Sequence, residues 1–523
     1  MDEKIKRVRR TVAIIFALAL FLRIYRLDLF PLNHDEVNNT LLSLVNFDKL
    51  FGIPVSCFHG FIRPLFICFV FGAKKIFSSP EAILRIPSVI IGVATVFLIY
   101  KMASQMYGKK AGIISSLLLC FLPWHVLQSK VGVEPILTPF FGCLISLVLF
   151  NSILKKSNFL FLSFCFLLSL GSFYSYETSL LFIPIFLAIL LWLRKSLRWL
   201  KLKIILLSIL VFLVVLFPLL YLCIAGKLSN CLSSFGRVLI YRDIVLKGGW
   251  DDLFIGLAVN FKNNIIISFK ALFFSSGDYF LFAPALSSPL LIYYLTFFPI
   301  LFSVFVSFKK REVSDKILLA WLLLGCLGIL LSIRTFQARY IIIILPVFII
   351  LISRPIAEIF NHADSGSFLK RKLLFLAGIL FCTFLVFIES YQLAHYYRIA
   401  PTHLEECRLN SYGCKEAAQY LAGISDIENC RIFQSQRMTV LGYFSFFKYG
   451  DILHRYENNN KNSPISYYVV WAPESHTEDE WNGLFLDSYN LFKQKFPNEP
   501  PIKTIYYPVG LPAIYIFRVE EKI

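Results

Sequence analysis

Leu27-Asp28-Leu29-Phe30-Pro31-Leu32-Asn33-His34-Asp35-Glu36-Val37-Asn38-Asn39-Thr40 follows directly on an apolar run, Thr11 to Tyr25. Lys4, Lys6, Arg7, Arg9 and Arg10 precede that run, in the manner of a signal peptide, but Arg23 and Arg26 stand where small cleavage-site residues belong. The run therefore reads as a retained membrane anchor. It delivers two adjacent carboxylates, Asp35 and Glu36, to the rim of the hydrocarbon, where acidic groups are costly unless they serve a site. An ordinary solvated loop or a helix-capping pair is the plainer alternative.

The rest of the chain extends the membrane reading. Of its 523 residues, 57% are hydrophobic. They come in blocks near the roughly 17–25 residues of one bilayer crossing, so the expected fold is a polytopic α-helical membrane protein. Phe is abundant, at 54 residues, which suits lipid-facing helices. The net charge of +19 points to loop lysines and arginines that set orientation, and no nucleic-acid partner is expected. The twelve cysteines include no CxxC pair, so no zinc or redox motif is read from them.

With the basic N-terminus in the cytoplasm, further spans are expected near 83–101, 111–127, 136–153, 158–175, 179–193, 203–225, 288–308, 316–333, 339–353 and 372–390. With the first, these make about eleven crossings. Alternate connections are then basic: Lys101/Lys109/Lys110, Lys155/Lys156, Arg194 to Lys203, Lys309 to Lys316, and Arg354 to Lys372. Phe61 to Phe77 breaks this order. As a span it would reverse every later loop, so it is expected as an interfacial or re-entrant helix on the outer face. It falls in a long first outer loop, 26–82; a second outer loop covers 226–287.

The outer side then collects His34-Asp35-Glu36, His59, Arg63, Arg85, Lys130, Glu134, Tyr174 to Glu177 and Arg334 to Tyr340. Positive charge there runs against the orientation rule, and a membrane-bound anion would account for it; snorkelling arginines are the alternative. From Tyr391 apolar runs shorten to strand length: Cys430 to Phe433, Tyr467 to Trp471, Ile502 to Tyr507 and Ala513 to Val519, with helical stretches near 414–422 and 478–495. The expected organisation is a membrane domain, 1–390, and a small extracytoplasmic α/β domain, 391–523. Cys407 and Cys414 would lie in an oxidising compartment, bridged or as separate thiols.

Several short motifs recur in a fixed order: Leu22-Arg23-Ile24-Tyr25-Arg26-Leu27-Asp28 with His34-Asp35-Glu36, Leu84-Arg85-Ile86-Pro87-Ser88, Tyr107-Gly108-Lys109-Lys110, Glu134-Pro135, Ser275-Ser276-Gly277-Asp278, and Arg339-Tyr340 with Pro346. In this the chain resembles the GT-C superfamily of membrane glycosyltransferases, and most of all the family of protein O-mannosyltransferases and aminoarabinose lipid A transferases, known also as glycosyltransferase family 39. It departs from the family at His59-Gly60-Phe61-Ile62-Arg63-Pro64-Leu65, which lacks a second proline, and at Glu134, where aspartate is more usual.

The resemblance implies a polyprenyl-phosphate-linked sugar as donor and a lipid, glycan or protein hydroxyl as acceptor, at the outer membrane face. Such a reaction needs cations on the leaving phosphate and a base for the incoming hydroxyl. Asp35 is the expected base of an inverting single displacement, with Glu36 and Glu134 as further carboxylates of the catalytic site. Arg63, Arg85 and Arg339, backed by Lys130, are the expected phosphate ligands, since guanidinium matches phosphate oxygens and stays charged; Arg85 has a structural ion pair as its alternative role. His34, His59, Tyr174 and Tyr176 are candidate substrate contacts; for the tyrosines an interfacial aromatic belt is the plainer reading. No metal is assigned, although His34, Asp35 and Glu134 leave a divalent ion open. A transporter or flippase for a lipid-linked or anionic solute is the competing function; it predicts mid-span charges and internal repeats, and the sequence displays neither.

Overall fold

Where the sequence places basic clusters between apolar blocks, helices end. A computed structural model describes residues 2–29, 31–33, 36, 64–224, 265–266, 296–330, 338–363, 368–403, 407, 412–425, 427, 430–434, 440, 463–473 and 489–520. Helix α1 is Asp2–Ile24, α2 Pro64–Lys74, α3 Pro80–Tyr107, α4 Lys109–Phe121 and α5 Pro123–Gln128. There follow α6 Leu137–Lys155, α7 Asn158–Tyr174, α8 Phe182–Trp192, α9 Leu202–Ile224, α10 Phe297–Lys310, α11 Val313–Leu330, α12 Leu345–Ala363 and α13 Phe368–Ile399. Short 3-10 turns, Glu134–Ile136, Glu177–Leu181 and Ala338–Ile343, lead into α6, α8 and α12.

The basic turns have a shared mechanism. Each breaks a helix at positive φ: Lys156 (φ 47°) and Arg311 (φ 53°) in the left-handed conformation that terminates a helix, and Gly108 (φ 93°, ψ 165°) in a region open to glycine. Lys155, and Lys309 with Lys310, in the last turns of α6 and α10, also meet the negative pole of the helix dipole. Ser157 then caps α7, its hydroxyl accepting from the Leu160 amide at 3.3 Å.

The chain forms two compact units. The first comprises Met1–Tyr25, Pro54–Phe69 and Ile86–His395, the second Arg26–Ile53, Val70–Arg85 and Tyr396–Ile523. In the first, large apolar side chains stay exposed along whole helix faces, such as Leu206, Leu210, Leu213 and Phe217 on α9 and Phe375, Leu376, Leu380 and Phe387 on α13. Surfaces of that extent belong in hydrocarbon rather than water. Four helices are long and apolar enough to cross a bilayer: Pro80–Tyr107, Glu134–Lys155, Val313–Leu330 and Phe375–Thr402. The protein is thus a helical membrane protein, with four such helices among the described residues where the sequence led us to expect about eleven spans.

Three local expectations are corrected. The expected span 111–127 is two helices, because Leu122 turns extended (ψ 111°) ahead of Pro123, as a residue before proline tends to do. The expected basic loop from Arg354 begins instead inside α12, where Arg354 is buried against Asp315 at 2.8 Å. Its guanidinium also donates to Ser307 Oγ at 2.6 Å and lies over the Tyr107 ring, while the Tyr107 hydroxyl donates to Asp315; four helices meet at this pair. The last span, expected to end at 390, continues as helix to Ile399. The 61–77 stretch is helical over Pro64–Lys74 among its described residues; these eleven residues, about 16 Å at the helical rise, are shorter than the hydrocarbon core.

Inside the first unit, Trp321 of α11 packs on Phe182 and Phe186 of α8, and its indole donates to Ile343 O at 2.8 Å. Gly142 of α6 makes this approach feasible, since a Cβ there would stand 2.5 Å from the Trp321 ring. Gly142→Ala is expected to cost about 1–3 kcal/mol by overpacking, read as a lower thermal midpoint in detergent.

The second unit carries a four-stranded sheet, β1 Arg431–Gln434, β2 Ile465–Trp471, β3 Lys503–Tyr506 and β4 Pro512–Glu520. Strand order is β1-β2-β4-β3, with β1 parallel to β2 and the other pairs antiparallel. Central β2 and β4 are buried on both faces along much of their length, as inner strands of a covered sheet should be. Val470, Phe492, Phe517 and Val519 form one core. Helix α14, Cys414–Ala422, buries Cys414, Ala417, Ala418 and Leu421, one stripe of helical period. Cys407 and Cys414 are separate buried thiols.

Candidate active site

In the second unit the site is organised around Arg85, on the second turn of α3. Its Nε donates to Glu36 Oε1 and its Nη2 to Glu36 Oε2, both at 2.8 Å. Nη1 donates to Leu27 O at 2.7 Å and Nη2 also to Pro31 O at 2.9 Å. One guanidinium therefore ties Leu27, Pro31 and Glu36 together. Glu36 is fully buried and Arg85 nearly so; a forked, charge-assisted pair is the arrangement that tolerates such burial. A second lock is local: the Asn33 amide donates to Glu36 Oε2 and the Glu36 amide to Asn33 Oδ1, each at 2.9 Å, the reciprocal geometry of a capping box.

The sequence offered two roles for Arg85, and the observed contacts are those of an ion pair. Asp35 and His34, between Asn33 and Glu36, lie outside the described residues, as do His59, Arg63 and the Ser275–Asp278 motif. The start of α3 has another tether: Glu81 accepts from Lys415 Nζ of α14 at 2.7 Å.

The first unit places a second group of polar residues together. Arg23, at the end of α1, is fully buried. Its Nη1 donates to Ala19 O at 2.9 Å, its Nε to Ser129 Oγ at 3.3 Å, and its Nη2 lies 2.7 Å from His125 Nδ1. Lys130 is buried and donates to Tyr25 O. Glu134 is buried and opens the 3-10 turn before α6. Gly92 of α3 keeps this corner tight, since a Cβ would come 2.7 Å from Ser129 Cβ. Tyr176 is buried; Tyr174 donates to Val215 O at 2.6 Å. Arg339 lies in the turn Ala338–Ile343. The sequence reading gave Arg23 only a place in a motif, and nothing in residue type or spacing marks it as the centre of a buried cluster.

Among the described residues no three His, Cys, Asp or Glu side chains gather to hold a metal. Two of the three ligands considered from sequence, His34 and Asp35, are not among them.

Comparison with known proteins agrees with this architecture. Residues 63–222 match the model of the family described as dolichyl-phosphate-mannose-protein mannosyltransferase. The fold is similar to that of the Archaeoglobus fulgidus oligosaccharyltransferase in complex with Zn and sulfate, at 14% identity and TM-score 0.56, over 97% of this chain and 73% of that one. It is similar to ArnT from Cupriavidus metallidurans bound to undecaprenyl phosphate, at 13% identity and TM-score 0.55, over 97% of both chains. It is also similar to the oligosaccharyltransferase AglB from Archaeoglobus fulgidus in complex with an inhibitory peptide and a dolichol-phosphate, at 15% identity and TM-score 0.53, over 88% of this chain and 65% of that one. No curated protein sequence matches. The protein is a membrane protein with the fold of the GT-C superfamily of glycosyltransferases.

Proposed function

We propose that the protein transfers a sugar from a polyprenyl-phosphate-linked donor to a hydroxyl acceptor at the outer face of the cell membrane, with inversion and with Asp35 as general base. Two similar structures hold dolichol-phosphate and undecaprenyl phosphate, and the family matched over 63–222 is named for a lipid-phosphate sugar donor. The observation that carries the reading is the lock on the Leu27–Glu36 stretch. A buried fork through Arg85 and a reciprocal cap through Asn33 fix the backbone on both sides of Asp35. A catalytic base needs such a fixed mount, because misplacement by about 1 Å costs roughly 100-fold in rate.

In this reading Glu36 is the partner of Arg85, and Arg63, Arg339 and Lys130 carry the leaving phosphate. Glu134 orients a cation or the acceptor. The chain crosses the membrane about eleven times, with its N-terminus cytoplasmic and the C-terminal sheet outside, where acceptor recognition would be its role. The test uses the full chain purified in mild detergent. Mass spectrometry identifies the co-purifying prenyl lipid and its head group, and that lipid is then supplied as donor with membrane extracts as acceptor. Acceptor-dependent release of polyprenyl phosphate is the expected result. Movement of the intact lipid across a vesicle bilayer without sugar transfer would instead establish the transporter reading.

A further inference from the structure

Helix α5 is buried along its whole length, including two polar side chains, His125 and Gln128, neither with any solvent exposure. Polar groups in such a setting are costly when left without hydrogen bonds. His125 is satisfied on one side, since Arg23 Nη2 lies 2.7 Å from Nδ1. A guanidinium has donors and no acceptor, so Nδ1 must accept and the ring proton must sit on Nε2. Among the described residues that Nε2–H has no hydrogen-bond partner, and neither does the Oε1 or the Nε2 of Gln128.

His125 and Gln128 are three residues apart on one helix and therefore share a side of it. That side presents an imidazole N–H, an amide NH2 and an amide carbonyl, all neutral. Protonated Nε2 is no metal ligand, and an outward carbonyl is ill suited to a phosphate. A hydroxyl both donates and accepts, so a group bearing adjacent hydroxyls fits all three atoms. Lys130 and Glu134 follow within six residues of Gln128 on the same segment.

We infer that the His125–Gln128 side of α5 is a hydroxyl-recognition subsite for the sugar of the lipid-linked donor, an inference that rests on the proposed transfer reaction. It would set which sugar is accepted, because a buried site built to hydrogen-bond a hydroxyl discriminates strongly against a group that lacks it.

The test compares His125→Phe, Gln128→Met and the double variant with the unaltered protein. Affinities are measured for undecaprenyl phosphate and for undecaprenyl-phosphate-linked mannose, glucose and galactose. The expected result is that the best-bound glycolipid loses about tenfold or more in each single variant, while undecaprenyl phosphate stays within about twofold. The thermal midpoint is expected to hold or rise in Gln128→Met, where a shape-matched apolar group removes unmade bonds, and to fall in His125→Phe, which takes the 2.7 Å acceptor from buried Arg23. Equal weakening of all four lipids, no weakening of any, a lowered midpoint in Gln128→Met, or failure of the unaltered protein to prefer any glycolipid over the bare phosphate would overturn the subsite and assign these atoms to buried water. Selective glycolipid binding through His125 and Gln128 by a protein that transfers no sugar would uphold the subsite and sink the transfer reaction.

Discussion

Asp35→Asn is expected to abolish sugar transfer, lowering kcat/KM by about 100- to 10,000-fold, the usual share of a positioned general base. The amide is nearly isosteric and cannot take the acceptor's proton. The fork of Arg85 on Glu36 and the cap through Asn33 involve other side chains, so membrane insertion, yield and thermal midpoint are expected to stay at unaltered values, as is affinity for the lipid phosphate. Asp35→Glu keeps a carboxylate but moves it by about a bond length, and is expected to retain partial activity. The measurement is initial rate against donor concentration, with the midpoint recorded on the same preparation. Near-normal rates in Asp35→Asn would remove Asp35 as the base and with it the mechanism proposed for this chain.

Glu36→Ala and Arg85→Lys are expected to behave differently. Glu36→Ala removes one partner of a buried charge pair, leaving Arg85 uncompensated, and costs about 3–5 kcal/mol, whereas Arg85→Lys keeps the charge and loses the fork and its carbonyl partners. Lysine does not replace arginine here, because one ammonium cannot reach both Glu36 oxygens together with Leu27 O and Pro31 O. Both variants should therefore lose activity and lower the thermal midpoint together, with the Leu27–Glu36 stretch more open to proteases. Exchanging the two charges, Glu36→Arg with Arg85→Glu, is expected to fail as well, because the carbonyls of Leu27 and Pro31 would then face a carboxylate. If Arg85 instead acts chiefly on the donor phosphate, Arg85→Lys will raise KM and leave the midpoint unchanged. That outcome would reverse the positioning role assigned here.

Much of this architecture is readable along the chain, for reasons that differ by element. Helices α7, α9 and α11 follow from apolar block length, and the ends of α3, α6 and α10 from Gly108, Lys156 and Arg311, where a residue of positive φ and a basic cluster coincide. Helix 414–422 and the four strands follow from apolar spacing of helical and strand period. Block length misleads where a proline follows an extended residue, as at Leu122-Pro123. It also misleads where a charge is buried by a distant partner, as with Arg354 and Asp315, 39 residues apart.

The sequence by itself determined that this is a membrane protein of many helices with strands near its C-terminus, and it marked Asp35, Glu36 and Arg85 as residues of interest, because hydropathy and the cost of charge near hydrocarbon act locally. Tertiary structure alone decided which partners the described candidates meet. Arg85 meets Glu36 across 49 positions, and Arg23 meets His125 across 102. Burial, not residue type, turns those side chains into a mount for one loop and the anchor of a neutral polar face, and burial is set by how helices from separate parts of the chain come together.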